Sequence, residues 1–332
     1  VTNKPLIRAL HGAAKVHQAR APHDTVHFRL HYPAEYTGSD AERLSGMLPA
    51  LTDQAPWPLA IIMPGINVGS DQYRWLAVSL ANEGIATITF DFVDELMPGN
   101  HALSPGLDIT AVAPDTYGTR PSATAIAPLL GALHRLEREG PITGLIDASR
   151  FVLIGHSAGG TVALENAKRE WFPGLRGVIT YGAHTMPALM LGHPKDTVLP
   201  VLDDVPVLLI SGSDDGVIRQ SADRYKGGAD HDPVKATFDR AVSSHVLSRY
   251  VVIDGGSHMV MGHPGDTTTA RGFLDADPTP ESQALDGEVR CLIAGLTIAF
   301  AKAALSKDPR RMDTKPLEAF AKNPRVSEWG RK

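Results

Sequence analysis

Apolar and polar residues alternate over residues 25–32, with Val26, Phe28, Leu30 and Tyr32 on one side of an extended chain and His27, Arg29 and His31 on the other. Successive side chains of a strand point to opposite faces, so this stretch predicts a half-exposed strand in a hairpin at a sheet edge. The pattern then changes. Short, continuous apolar runs follow: LAIIMPG from Leu59, IATITFDF from Ile85, FVLIGHS from Phe151, RGVITYG from Arg176, VPVLLISG from Val205 and RYVVIDGG from Arg249. Runs of this kind, bounded by Gly, Pro and Asp, predict strands buried on both faces, as in a parallel sheet covered by helices.

Helical spacing lies between these runs. Trp75, Leu76, Val78 and Leu80 belong to a helix that ends at Gly84, and Ile126, Leu129, Leu130, Leu133 and Leu136 to another that stops at Gly140-Pro141. The longest apolar run, CLIAGLTIAFA at residues 291–301, is bracketed by Arg290 and Lys302. It is short of the roughly 20 residues a spanning helix needs and predicts a buried core helix with no membrane span. The repeated strand-helix order predicts an α/β fold with a doubly wound, mostly parallel sheet.

Residues 1–305 read as a single domain, and the charged, Pro-containing residues 306–332 as a tail packed on or extending from the surface. Long loops rich in Gly and Pro, near residues 94–120, 183–204 and 259–282, are placed to build a pocket.

Composition adds exclusions. The 332 residues are 43% hydrophobic and 21% charged, with a formal net charge of -5 and both signs interspersed, which leaves no basic footprint for nucleic acid. Cys291 is the single cysteine, so no disulfide forms within the chain, which favours a reducing compartment. The opening VTNKPLIRAL has neither an initiator Met nor an apolar signal core. That fits a trimmed cytoplasmic chain, the favoured expectation, or a secreted chain whose signal has been removed.

The candidate chemistry begins at Gly155-His-Ser157-Ala-Gly159, a G-x-S-x-G motif followed by Gly160. The motif ends the apolar strand FVLI and opens the helical pattern TVALENAKREW. A strand-turn-helix setting is what a nucleophile elbow requires, with small residues letting strand and helix approach while Ser157 stands exposed. A serine hydroxyl needs a positioned imidazole, itself oriented by a carboxylate. After VPVLLISG come Asp214 and Asp215, and after RYVVIDGG comes His258, which gives the chain order Ser, Asp, His. Either aspartate fits at this point. His156 adjoins the nucleophile but diverges from it on so tight a turn, and reads as structural. His184, His193 and His263 read as solvated loop histidines with the alternative of substrate contact. Negative charge developing on a carbonyl oxygen calls for two N–H donors. The backbone N–H of Ala158 is one candidate, and the N–H of Ile66, at the end of LAIIMPG, is the other.

Taken together, MPGINVGSDQYRWLAVSLANEGIATITFDF, VLIGHSAGG, LLISGSDDGV and IDGGSHM resemble the oxyanion-loop, elbow, acid and base blocks of the α/β-hydrolase superfamily, over about residues 59–259. Within it the likeness is to the dienelactone hydrolase, chlorophyllase and cutinase-like polyesterase branch. The resemblance implies a serine esterase with Ser157 as nucleophile, His258 as base and Asp215 in preference to Asp214 as acid, working through an acyl-enzyme on a small or polymeric ester. It implies no cofactor. Dienelactone hydrolases carry a cysteine where this chain has Ser157. Only about twenty residues separate GVITYG from VPVLLIS, too few for a large inserted cap domain. The pairs His193/Asp196 and His263/Asp266 read as Pro-directed turns rather than metal ligands, since no H-E-x-x-H or Cys cluster accompanies them. The same triad acting on amide, peptide or thioester bonds, or as an acyltransferase, is the alternative. A non-catalytic binding protein of this fold is a third reading, opposed by the presence of all three residues.

Overall fold

The computed structural model describes residues 6–224, 231–266, 268, 274–275, 279–308 and 312–332. In chain order these form β1 (Leu6–Lys15), β2 (Thr25–Ala34), α1 (Asp40–Ser45), β3 (Trp57–Met63), α2 (Arg74–Asn82), β4 (Ala86–Met97), β5 (Asn100–Leu103) and α3 (Ile126–Arg138). There follow β6 (Ile146–His156), α4 (Ala158–Glu165), β7 (Leu175–Tyr181), β8 (Val207–Gly212), α5 (Gly216–Arg224), α6 (Pro233–Ala241) and β9 (Arg249–Ile253). The chain continues through α7 (Pro280–Ala304) and α8 (Lys315–Glu318) to β10 (Val326–Arg331).

The strands make one mixed sheet in the order β1-β2-β4-β3-β6-β7-β8-β9-β10, with β5 hairpinned onto the outer end of β4. Every pairing from β4 through β3, β6, β7 and β8 to β9 is parallel, whereas β1, β2 and β10 add antiparallel strands at the two margins. Continuous apolar strands divide their side chains between two cores because of the two-residue period. In β3, Leu59, Ile61 and Met63 join one cluster with α3 (Leu129, Leu133), α4 (Val162) and α6 (Phe238). Ala60 and Ile62 join the other with α2 (Leu76, Leu80) and α7 (Leu296, Phe300). Each fully buried Leu, Ile or Phe contributes on the order of 2 kcal/mol by leaving water, and with clusters on both faces the strand ends are held rigidly.

Helix α7 begins well before the apolar run, where Thr279 caps it in a reciprocal box with Ser282 and Pro280 occupies the first turn. None of the described helices is long and apolar enough to cross a membrane. The β4 strand continues past the expected start of a loop at residue 94, because residues 93–97 pair back on β5 across the Gly99 turn. Beyond residue 305 the chain forms α8, whose Leu317 is buried, and β10, a half-exposed strand antiparallel to β9.

Candidate active site

Parallel strands end at one rim, and the loops leaving β3, β6, β8 and β9 bring four groups together there. At the end of β6 the chain enters α4 through Ser157, whose φ of 53° and ψ of -127° are a strained conformation for a residue with a side chain. The turn is fixed from both sides. Ser157 N–H donates to the Tyr181 carbonyl at 3.1 Å, and its own carbonyl accepts from Gly160 N–H at 2.9 Å. A side chain at Gly159 would run into the backbone carbonyl of Met63, so the helix packs against β3 only because that residue is glycine.

The aspartates after β8 have opposite surroundings. Asp215 is buried, with one carboxylate oxygen accepting from Ile218 N–H at 2.8 Å and the other 2.8 Å from His258 Nδ1. Asp214 is exposed and accepts from the Ser213 hydroxyl at 2.9 Å. His258, in the turn after β9, is also buried. The pair occupies a niche left by Gly182 at the end of β7, where a Cβ would come within 2.7 Å of the Asp215 carboxylate and 2.9 Å of His258 Nδ1. Its φ of +57° is a second reason for glycine at that position. Tyr181 supports the loop that carries His258 from below by donating to the Ser257 carbonyl at 2.8 Å.

Ser157 and His258 line one cavity of about 310 Å³, together with Ile66, Val68, Leu96 and Val217. Among the described residues, His258 Nδ1 bonds Asp215 and no hydrogen bond joins His258 to Ser157 Oγ. Ile66 and Ala158 are part-exposed at the cavity, and among the described residues neither backbone N–H has an acceptor. The loop carrying Ile66 is braced by Asn67, which takes a left-handed φ of 59°. Asn67 exchanges hydrogen bonds with Leu103 of β5 at 2.9 and 3.2 Å, which tie the β4–β5 hairpin that carries Leu96 to this loop. A larger hollow, about 550 Å³, lies beside Lys15, His17 and Arg135 and contains none of these groups.

The other histidines have different fates. His184 is buried rather than solvated, and burial lowers its pKa to about 4. His193 bonds the Val112 carbonyl at 2.6 Å, and His263 is exposed. Asp196 pairs with Lys195 at 3.7 Å, and Asp266 accepts from Thr268.

One carboxylate at the site has no signal in the sequence. Asp275 accepts from Gly216 N–H at 3.0 Å and from Met259 N–H at 2.9 Å, which joins the residue after Asp215 to the residue after His258. Burial pushes its pKa up, opposed by the backbone N–H groups of Met259 and His258. Residues 276–278, on its C-terminal side, lie outside the described residues.

No protein-family model matches the chain. The chain is similar to bis(hydroxyethyl) terephthalate hydrolase of Streptomyces coelicolor, with 27% identity over 162 residues that cover 46% of this chain and 44% of that protein. It therefore spans under half the length of this relative, which by its name is an ester hydrolase.

Proposed function

We propose that this protein is a serine hydrolase of the α/β-hydrolase fold, with a doubly wound sheet and no large inserted cap, that cleaves carboxylic esters through an acyl-enzyme. One observation carries the reading: His258, joined to the buried Asp215 at 2.8 Å, lines the same cavity as Ser157 on its strained turn. Asp215 holds Nδ1 protonated, so Nε2 is the lone-pair nitrogen that takes the proton from Ser157 Oγ as it attacks the ester carbonyl. The Ile66 and Ala158 N–H groups receive the oxyanion, and the start of α4 adds its dipole. The imidazolium then protonates the departing alcohol, and water repeats the sequence on the acyl-enzyme. No step calls for a cofactor.

Beside Ser157, His258 and His156 the cavity is lined by Ile66, Val68, Leu96, Val217 and Met259, which suits a neutral acyl or alcohol portion. The ester hydrolase named above supports an ester, small or polymeric, as substrate. The test is covalent labelling with a fluorophosphonate alongside hydrolysis of p-nitrophenyl esters. Wild-type protein is expected to be labelled at Ser157, and Ser157→Ala to lose both labelling and turnover while melting at the wild-type temperature. A label mapped to another residue, or undiminished turnover by Ser157→Ala, would overturn the assignment.

A further inference from the structure

His156 and Tyr73 are fully buried, and neither performs a step of the chemistry above. Tyr73 ends the short turn that precedes α2, and His156 is the last residue of β6. Three hydrogen bonds run through their side chains. Gly65 N–H donates to Tyr73 Oη at 2.9 Å, Tyr73 Oη lies 2.9 Å from His156 Nδ1, and His156 Nε2 lies 3.0 Å from the carbonyl oxygen of His258.

The direction of each bond follows from elementary constraints. A carbonyl oxygen only accepts, so His156 Nε2 carries a proton. Burial, and after it the neighbouring His258 with its ring centroid 4.8 Å away, pushes the His156 pKa well below the usual histidine range, so the ring is neutral and Nδ1 has a lone pair. The Tyr73 hydroxyl therefore donates to Nδ1 while its oxygen accepts from Gly65. The sequence runs one way, from Gly65 through Tyr73 and His156 to the backbone of His258, and every member is satisfied.

Its three anchors are chemically placed. Gly65 precedes Ile66, His156 precedes Ser157, and the last acceptor is the base's own carbonyl. These lie at the ends of separate strands, β3, β6 and β9, that no short covalent path connects. We propose that Tyr73 and His156 are positioning residues, which hold the Ile66 N–H, Ser157 and the His258 imidazole in register through this oriented chain. The proposal rests on the ester-hydrolase reading of the site. Displacing a reacting group by about 1 Å can cost on the order of a hundredfold in rate, so breaking the chain falls on kcat more than on substrate binding.

The test compares Tyr73→Phe, His156→Leu and His156→Gln on p-nitrophenyl acetate, with wild-type labelling by fluorophosphonate as the control. Glutamine offers an oxygen to accept from Tyr73 and an N–H to donate to the His258 carbonyl, whereas leucine only fills space. Tyr73→Phe is expected to lower kcat about 10- to 100-fold with KM within about threefold, and His156→Leu to lower it about 100-fold. His156→Gln should recover to within about tenfold of wild type. Equal kcat for the leucine and glutamine variants, or a Tyr73→Phe kcat within twofold of wild type even with a lowered melting temperature, would show that the pair only supports folding. Should His156→Leu fail to fold, Tyr73→Phe, which keeps the ring and loses one oxygen, decides alone. An unlabelled wild-type protein would instead remove the hydrolase reading, and this proposal with it.

Discussion

Asp214 and Asp215 differ by one position in the chain and by almost everything in their surroundings. Asp215 is buried, with each carboxylate oxygen bonded, while Asp214 is exposed beside Ser213. In the proposed mechanism the buried carboxylate fixes the His258 tautomer and stabilises the imidazolium, so Asp215→Asn is expected to reduce kcat by about three to four orders of magnitude. Asp214→Asn is expected to leave kcat within about twofold and to shift stability by at most about 1 kcal/mol. Steady-state kinetics and thermal melting of both variants decide between them, and the reverse pattern transfers the acid role to Asp214. A sharper steric test exists at Gly182. A methyl there enters the space of the Asp215–His258 bond and demands a left-handed backbone from alanine. Gly182→Ala is therefore expected to lose at least a hundredfold in kcat, through the displaced Asp215–His258 pair and through the adjoining Tyr181 carbonyl that braces Ser157. Unchanged turnover by this variant would mean that the pair can shift without consequence.

Between elements, the loops that carry Asp215 and His258 are joined to each other by Asp275, which accepts one N–H from the start of α5 and one from the turn after β9. Asparagine at this position keeps one acceptor oxygen and turns the other into a donor, which faces a backbone N–H. Leaving one buried N–H unsatisfied costs about 1–3 kcal/mol, so Asp275→Asn is expected to lower the melting temperature measurably and to reduce activity through disorder of both loops. A variant with wild-type melting would show that the staple carries no weight. This residue also marks the limit of what the sequence discloses. The inner strands were legible because burial on both faces leaves an unbroken apolar run, and the Ser157 turn was legible because its glycines are dictated by backbone contact. Strand β1 was not, because as the outermost strand it is largely exposed on both faces and carries no continuous apolar signal. Strand β10 reads VSEWGR, half-exposed and without a continuous apolar run, and the first turns of α7 are polar because they face solvent. Asp275 bonds Gly216 and Tyr73 bonds His156 across 59 and 83 residues of chain, so no local pattern points to them, and His184 departs from the solvated reading because its loop folds inward.

At the scale of the whole molecule, one buried acid outside the site makes stability depend on pH. Glu165, at the end of α4, is buried with the Ser122 hydroxyl 3.3 Å from its carboxyl group. Burial raises its pKa from 4.5 to about 8, and the Ser122 hydrogen bond opposes the rise only in part. The folded state therefore holds a proton that the unfolded chain releases. Below about pH 4.5 both states are protonated, and the group's stabilising contribution is present in full. As pH rises toward 8 the unfolded state binds fewer protons than the folded one, so stability falls across that window and levels off once Glu165 ionises in place. At about 1.4 kcal/mol per pKa unit, the loss is on the order of a few kcal/mol. Glutamine mimics the neutral acid, so Glu165→Gln is expected to melt close to wild type at pH 4 and several degrees higher at pH 9. Other groups titrate over the same range, but they are common to both proteins, so the difference between the two melting curves isolates Glu165. Thermal melts from pH 4 to pH 9 provide that difference, and parallel curves for the two proteins would show that Glu165 carries its charge at neutral pH after all.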